Sequence, residues 1–488
     1  MNNTINPKNK LLFPIDDKPQ EECGVFGIYV NDDDINSVAE VYSGLYSLQH
    51  RGQNSAGICV NDNGEFSCCK NKGLISEAFR ENALEELPNG KIAIGHVRHS
   101  LQKFEDDDFA SVQPLLMRYM YGSLAIAHNG DITNKADLHK QLAEGGAIFQ
   151  SNSNAELISY VIASMRLQTD TIEDAVIKAV DMLEGAYSLV IISPSKLIAV
   201  RDSHGFRPLC IGKMKNSYMI SSESCSFDSL GADFVRDVAP GEIIVVDENG
   251  LHSYTNYCHQ KTAMCIFEQI YVSRPDSVLD GQNVHNFRMN VGKILAEKYP
   301  VEADVVCGVP DSGSSCAVGY SLYSGIPYGI AIMKNKYIGR TLSMDNDSMR
   351  KRILDIKINV LKSTVKDKRV IIIDDSIVRG GTMTHIVELL KKAGAKEVHV
   401  RVASPQFKNI CYYGIRLPQK EHFISNQFTP QELCEKIGAD SLEFITVEEL
   451  LNCAVDANID FCTACFSGEY PTEKPTEFYD KFSVKIEV

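Results

Sequence analysis

The segment Val370-Ile-Ile-Ile-Asp-Asp-Ser-Ile-Val-Arg-Gly-Gly-Thr382 narrows what this chain can become more than any other. Its opening run of β-branched residues suits a strand covered on both faces of a parallel sheet. The apolar period from His385 to Ala393 suits a helix directly after it. The loop between them then lies at a strand's carboxyl end. There, backbone N–H groups freed by Gly380 and Gly381, the Ser376 and Thr382 hydroxyls and the helix N-terminus can surround a phosphate. Asp374 and Asp375 can hold a ribose diol and, directly or through water, Mg2+. An acidic pair beside such a cradle suits a sugar phosphate better than a bare anion.

The 488 residues are 44% hydrophobic and 23% charged, ordinary for a globular protein of roughly two to four domains. A net charge of -15 argues against general nucleic-acid or membrane-surface binding. Against that background Lys334, Lys336, Arg340, Arg350, Lys351 and Arg352 form a local basic cluster suited to a small polyanion. No apolar run is long enough to span a bilayer. Met1 to Glu22, whose apolar part is Leu11-Leu-Phe-Pro14, does not read as a secretory signal. The 15 cysteines point to a reducing compartment, with thiols used for packing, nucleophilic chemistry or metal ligation rather than a disulfide frame. A cytoplasmic protein is expected.

From Cys23 to about Tyr257, short β-rich runs (Gly24 to Val30, Lys91 to Val97, Ser123 to His128, Ser188 to Ile192, Glu242 to Val246) are separated by helical segments (Val38 to Gln49, Glu156 to Leu167, Ile172 to Leu183). This pattern predicts a layered α+β domain. Beyond about Ala263, strands near Ala303 to Val309, Tyr328 to Met333, Arg369 to Ile373 and Glu397 to Ala403 alternate with helices, predicting α/β with a parallel sheet. A polar stretch near 255–262 marks the boundary.

Cys23-Gly-Val-Phe-Gly-Ile28 places a thiol at the head of a strand. Leu48-Gln-His-Arg-Gly-Gln-Asn-Ser-Ala-Gly57, Gly95-His-Val-Arg-His-Ser100 and Ala127-His-Asn-Gly-Asp-Ile-Thr-Asn134 each put polar groups at the end of an expected element. The four segments together resemble the class II glutamine amidotransferase domain, an N-terminal nucleophile hydrolase. The Val370–Thr382 loop resembles that of the type I phosphoribosyltransferases, which bind 5-phosphoribosyl-1-pyrophosphate (PRPP). Joined in this order, the two halves resemble the amidophosphoribosyltransferase family over nearly the whole chain after the leader.

The resemblance implies a layered αββα N-terminal nucleophile hydrolase domain over 23–257, an α/β type I phosphoribosyltransferase domain over 258–488, and a leader, 1–22, removed between Glu22 and Cys23. Cleavage would free the α-amine of Cys23. With a reference pKa of about 7.7 to 8.0, that amine can take the proton of its own thiol. Asn129 and Gly130 would form the oxyanion hole, and Arg98 would clamp the glutamine α-carboxylate. Ammonia would pass internally to the second site and displace pyrophosphate from PRPP, giving 5-phosphoribosylamine for purine synthesis. There Asp374, Asp375, Ser376, Arg379, Gly380, Gly381 and Thr382 would bind PRPP. Asp311 and Ser312 would approach the pyrophosphate, and Lys334 to Arg340 would form a basic flap. Mg2+ would sit near Ser312, Asp374 and Asp375. Purine nucleotides would act as feedback inhibitors, and the chain would form a homotetramer or homodimer.

A C-x-x-C pair in Phe461-Cys-Thr-Ala-Cys-Phe-Ser-Gly468 leaves zinc, redox chemistry and packing open. With Cys265 and Cys411, the pair Cys462 and Cys465 resembles the ligand set of the iron-sulfur branch of the family, implying a [4Fe-4S] cluster. Four thiolates also suit zinc. The family's Arg-Tyr-Ser-Thr reads Arg98-His-Ser-Leu101 here, and its Ser-Asp-Ser/Thr-Glu reads Ser153-Asn-Ala-Glu156. A hydroxyl and a carboxylate that contact glutamine are thus Leu101 and Asn154. Loss of a charge-assisted hydrogen bond weakens affinity roughly 10- to 150-fold, so the sequence predicts weakened glutamine use. The alternative reading is a paralogue that depends on ammonia or only binds PRPP or nucleotides.

Overall fold

A computed structural model describes residues 23–80, 83–99, 109–258, 261–335 and 356–475. The leader, Ser100, Leu101, Lys336, Arg340, Arg350, Lys351 and Arg352 lie outside the described residues.

Alternation of side chains along strands builds the first half. A seven-stranded sheet has Gly24–Tyr29 near its centre, hydrogen-bonded to Ile92–Arg98 on one side and Ser217–Ser221 on the other. A six-stranded sheet has Gly185–Ile192 between Gly122–Ile132 and Leu197–Arg201. Val25, Ile94, Ala125, Ala127, Val190 and Ile244 are buried between the two sheets. Phe26 and Ile28 point the other way, onto Val41 and Leu45 of the Ser37–Ser47 helix. On the far face, Leu189 and Ile191 pack against Ile158, Val161 and Val176 from the helices Asn154–Arg166 and Ile172–Val180. Helix, sheet, sheet and helix therefore follow in layers, as expected, because period-2 strands with two apolar faces can be buried no other way.

The second half holds a four-stranded parallel sheet in the order Val305–Gly308, Arg369–Asp374, Glu397–Val402, Ser441–Phe444. Ile371 and Ile373 enter one apolar cluster, while Val370 and Ile372 enter the cluster on the opposite face. Both faces of the β-branched run are thus covered, and the Gly381–Lys392 helix follows it. The segment Tyr328 to Met333 departs from expectation. It touches the parallel sheet through a bridge between Val306 and Tyr328. Its strand, Ile332–Lys334, instead pairs antiparallel with Ile358–Val360. Gly329 and Ile330 precede this strand, and glycine weakens a strand interior.

One disulfide joins Cys59 and Cys68, which face each other across the hairpin Ser55–Asp62 and Glu65–Lys72. This departs from the expectation that the cysteines serve as thiols rather than in disulfides: cross-strand register brings this one pair together. No helix among the described residues is long and apolar enough to cross a membrane.

Candidate active sites

Strand register gathers the first set of residues. Cys23 precedes the Gly24–Tyr29 strand, and Gly24 pairs with Val97, placing Cys23 at the same end as Arg98. Alternation from Val25 and from Ile94 turns Cys23 and Arg98 toward the gap between the sheets, as alternation from Ala127 turns Asn129. The His96 ring lies 3.1 Å from the His128 carbonyl and ties the two sheets together beside these residues. Burial lowers the pKa of His96 to about 3, helped by Arg98. Burial likewise lowers that of His128 to about 4. Both rings are therefore neutral near pH 7.

Asn129 is fully buried, yet both polar atoms of its side chain lack a hydrogen-bond partner. Such a group is costly to bury unless something fills its place. Gly130 follows with φ +131°, and a Cβ there would stand 2.2 Å from the Ala186 carbonyl oxygen. Only glycine lets the strand pass this point without a clash. The Arg98 guanidinium donates to Ser111 Oγ at 2.8 Å. Asn154 starts its helix, and its amide donates to Asp131 Oδ1 at 2.8 Å. Its neighbour Glu156 accepts from Ser151 and from the Gln150 and Ser151 backbone, holding the loop before the helix.

A fully buried ion network, which sequence reading did not assign, adjoins Cys23. Arg51 Nε donates to the Cys23 carbonyl at 3.0 Å. Its other nitrogens meet Glu223 at 2.6 Å and Glu268 at 2.8 Å, and Arg207 reaches Glu268 at 3.1 Å. Although burial opposes it, His50 and Arg51 hold the Glu223 carboxyl well below the usual carboxylate range. Arg51 and Arg207 likewise keep Glu268 ionised against the cost of burial. Arg51 falls in the Leu48–Gly57 segment picked out above, but nothing local marks pairs so distant in sequence.

In the second half, Asp374 and Asp375 end the buried strand and are themselves buried. The Ser376 hydroxyl donates to Asp375 Oδ2 at 2.6 Å, and the Ser312 hydroxyl donates to Asp375 Oδ1. The Asp375 backbone N–H donates to Asp374 Oδ1 at 3.0 Å. Gly380, at φ +84°, turns the chain into the helix beginning at Gly381. Arg379 Nε is buried without a hydrogen-bond partner beside this turn, and Thr382 lies in the first helical turn. From the adjoining Val305–Gly308 strand come Asp311 and Ser312, and Lys334 Nζ lies 3.2 Å from Asp311 Oδ2. The predicted residues present here therefore converge on one strand end. Their hard oxygen donors are of the kind Mg2+ takes beside phosphate.

Cys265, Cys411, Cys462 and Cys465 line one small cavity with Phe206, Phe267 and Tyr413. Cys265 faces Cys462 across a short parallel strand pair, and the Tyr413 N–H donates to Cys411 Sγ at 3.3 Å. Burial pushes the Cys462 thiol up to about 12 and those of Cys265 and Cys465 higher. Among the described residues no group of three or more His, Cys, Asp or Glu side chains is gathered into a ready metal shell.

This geometry defines a class, a glutamine amidotransferase fused to a phosphoribosyltransferase. The glutamine amidotransferase domain family matches residues 96–229, and the phosphoribosyl transferase domain family matches residues 278–428. The amidophosphoribosyltransferase of Bacillus subtilis (strain 168) is 42% identical over 458 residues, spanning 93% of this chain and 94% of that one. Two solved structures share the fold at 42% identity. One, described as the allosteric regulatory enzyme of purine biosynthesis, has a TM-score of 0.87 over 93% of this chain and 97% of its own. The other, glutamine PRPP amidotransferase from B. subtilis complexed with ADP and GMP, has a TM-score of 0.85 over 92% of this chain and 98% of its own. The chain belongs to the amidophosphoribosyltransferase family.

Proposed function

We propose that the chain makes 5-phosphoribosylamine from PRPP and glutamine at two sites, with roles divided as follows. Removal of residues 1–22 frees the Cys23 α-amine, which takes the thiol proton as sulfur attacks the glutamine side-chain carbonyl. The Asn129 amide and the Gly130 N–H receive the developing oxyanion, and Arg98 holds the α-carboxylate. The proton returns to the departing ammonia, and water releases glutamate from Cys23. At the second site the Gly380–Thr382 turn cradles the 5-phosphate while Asp374 and Asp375 hold the ribose diol. Ammonia attacks C1 as the bond to pyrophosphate breaks, and the Lys334 and Arg340 side chains balance the leaving charge. Mg2+, bound near Asp374, Asp375 and Ser312, would supply further charge neutralisation on pyrophosphate. The observation carrying this reading is the buried, unpartnered Asn129 amide, on the strand that the His96–His128 contact ties beside Cys23 and Arg98.

The domain limits 23–257 and 258–488, a cytoplasmic location, a homotetramer or homodimer, and inhibition by purine nucleotides belong to the same proposal. So does a [4Fe-4S] cluster at Cys265, Cys411, Cys462 and Cys465. The cavity the four thiols share supports it, as does the backbone N–H on Cys411 Sγ, because sulfur clusters are held by such donor sets. The cluster would clip the structure and take no part in either reaction. Zinc is the alternative for this donor set, and iron, sulfide and zinc analysis of anaerobically purified protein decides between them.

The test of function is PRPP-dependent pyrophosphate release with glutamine and, separately, with ammonium, alongside intact mass to locate the N-terminus. Activity with both donors and a mass beginning at Cys23 is expected. Activity with ammonium alone would move the chain to the ammonia-dependent reading that Asn154 raises, and activity with neither would overturn the proposal.

A further inference from the structure

Asn154 stands where the family pattern carries a carboxylate that contacts glutamine, and on sequence alone this removes a charge from the pocket. The structure returns one. Asp131 lies within hydrogen-bond distance of Asn154, its Oδ1 accepting from Asn154 Nδ2 at 2.8 Å. The same oxygen meets Lys135 Nζ at 3.2 Å, a pair in which both side chains are substantially exposed. Exposed pairs of this kind contribute little, so a substrate ammonium can displace the lysine at small cost.

Position along the strand places Asp131 in the pocket. Asn129 and Asp131 are two residues apart on Gly122–Ile132 and so share a face, separated by about 7 Å. That span matches the reach of an extended glutamine from its side-chain carbonyl to its α-nitrogen. Asn129 is fully buried, whereas the Asp131 side chain is 38% exposed. The amide end of a substrate would thus sit deep and its α-carbon end at the mouth.

We propose that Asp131 is the specificity-determining carboxylate for the α-ammonium of glutamine, with Asn154 as its positioning partner, so that the charge has moved between two touching side chains rather than vanished. The inference rests on the glutaminase roles proposed above. It also removes the part of the expected weakening that Asn154 carried, because the charge is relocated rather than lost.

The test compares glutamine with glutaramate, which lacks the α-amino group, as nitrogen donors for the full-length processed enzyme, with ammonium as a reference. Asp131→Asn should raise the glutamine KM by roughly 10- to 150-fold, the effect of one charge-assisted hydrogen bond, and should erase the preference for glutamine over glutaramate. The double variant D131N/N154D puts the carboxylate on the other partner and should restore both. An unchanged glutamine KM in D131N, or a double variant as impaired as the single one, overturns the proposal. Alkylation of Cys23 by 6-diazo-5-oxo-norleucine, read by mass, reports on the pocket without the transferase. Absence of ammonium-driven activity in the unmodified enzyme would instead count against the overall function.

Discussion

Arg51→Met tests whether the buried network beside Cys23 holds the two halves together. Arg51 loses ion pairs to Glu223 at 2.6 Å and Glu268 at 2.8 Å and its bond to the Cys23 carbonyl. Methionine occupies much of the same space but carries no donor. Glu268 keeps Arg207 and the Ser273 hydroxyl, and Glu223 keeps His50 and Ser277. The two acids are thus left with one cation fewer but not bare. Breaking one partner of a buried pair costs about 3 to 5 kcal/mol, and these remaining contacts put the expectation at the lower end, about 3 kcal/mol. Urea unfolding followed by circular dichroism measures it. Glu223→Gln in the same chain removes one of the unbalanced charges, so the double variant should recover part of the loss. Glutamine-driven activity should fall more than ammonium-driven activity, since the Cys23 carbonyl loses its anchor. A cost under about 1 kcal/mol, or no recovery in the double variant, would show that the network does not work as a charge-balanced unit.

Asn129→Ala removes one oxyanion donor and should lower glutamine-driven turnover by about 100- to 1,000-fold while sparing ammonium-driven turnover; equal losses would refute its role. Gly130→Ala forces a methyl group against the Ala186 carbonyl at positive φ and should destabilise by about 1 to 3 kcal/mol or more in urea unfolding. Asp375→Asn disturbs the contacts to Ser312 and Ser376 and should depress pyrophosphate release with either nitrogen donor while glutaminase activity without PRPP persists. His96 and His128, with pKa values lowered to about 3 and about 4, should show neutral-ring 15N shifts from pH 8 down to pH about 5. Their unfolded forms take up protons near pH about 6.5. The contribution of this pair to stability is therefore full above that pH and lost as pH falls through 6.5 toward the folded values.

What could be read in the sequence followed local physics. The run Val370 to Ile373 announces a two-sided strand because no polar residue interrupts it, and Asp374 onward announces its end. The layered first half was legible from strands of period two, and its inter-sheet face carries Cys23, Arg98 and Asn129 together. The hairpin Ser55–Lys72 was not assigned, because its second strand, Glu65–Lys72, is polar and mostly half-exposed. The network of Arg51, Glu223, Glu268 and Arg207 joins residues 61 to 217 positions apart, which no window of sequence can register. Asp131 escaped for a related reason. Its meaning depends on touching Asn154, 23 residues later, and not on its own surroundings.

The seam between the halves also limits how the chain can be taken apart. Arg51 and Arg207 find their acid in Glu268, and Arg201 is gripped at both ends of its guanidinium by Asp280 at 2.7 and 2.8 Å. All three cations come from the first half and both acids from the second, and the arginines are fully buried. A glutaminase half produced by itself would leave Arg201 and Arg207 without these partner acids and Arg51 with Glu223 alone. A chimaera made by exchanging halves with a relative would have to inherit Glu268 and Asp280 as a matched set with Arg51, Arg201 and Arg207. The two halves are thus tied to one another at the level of charge.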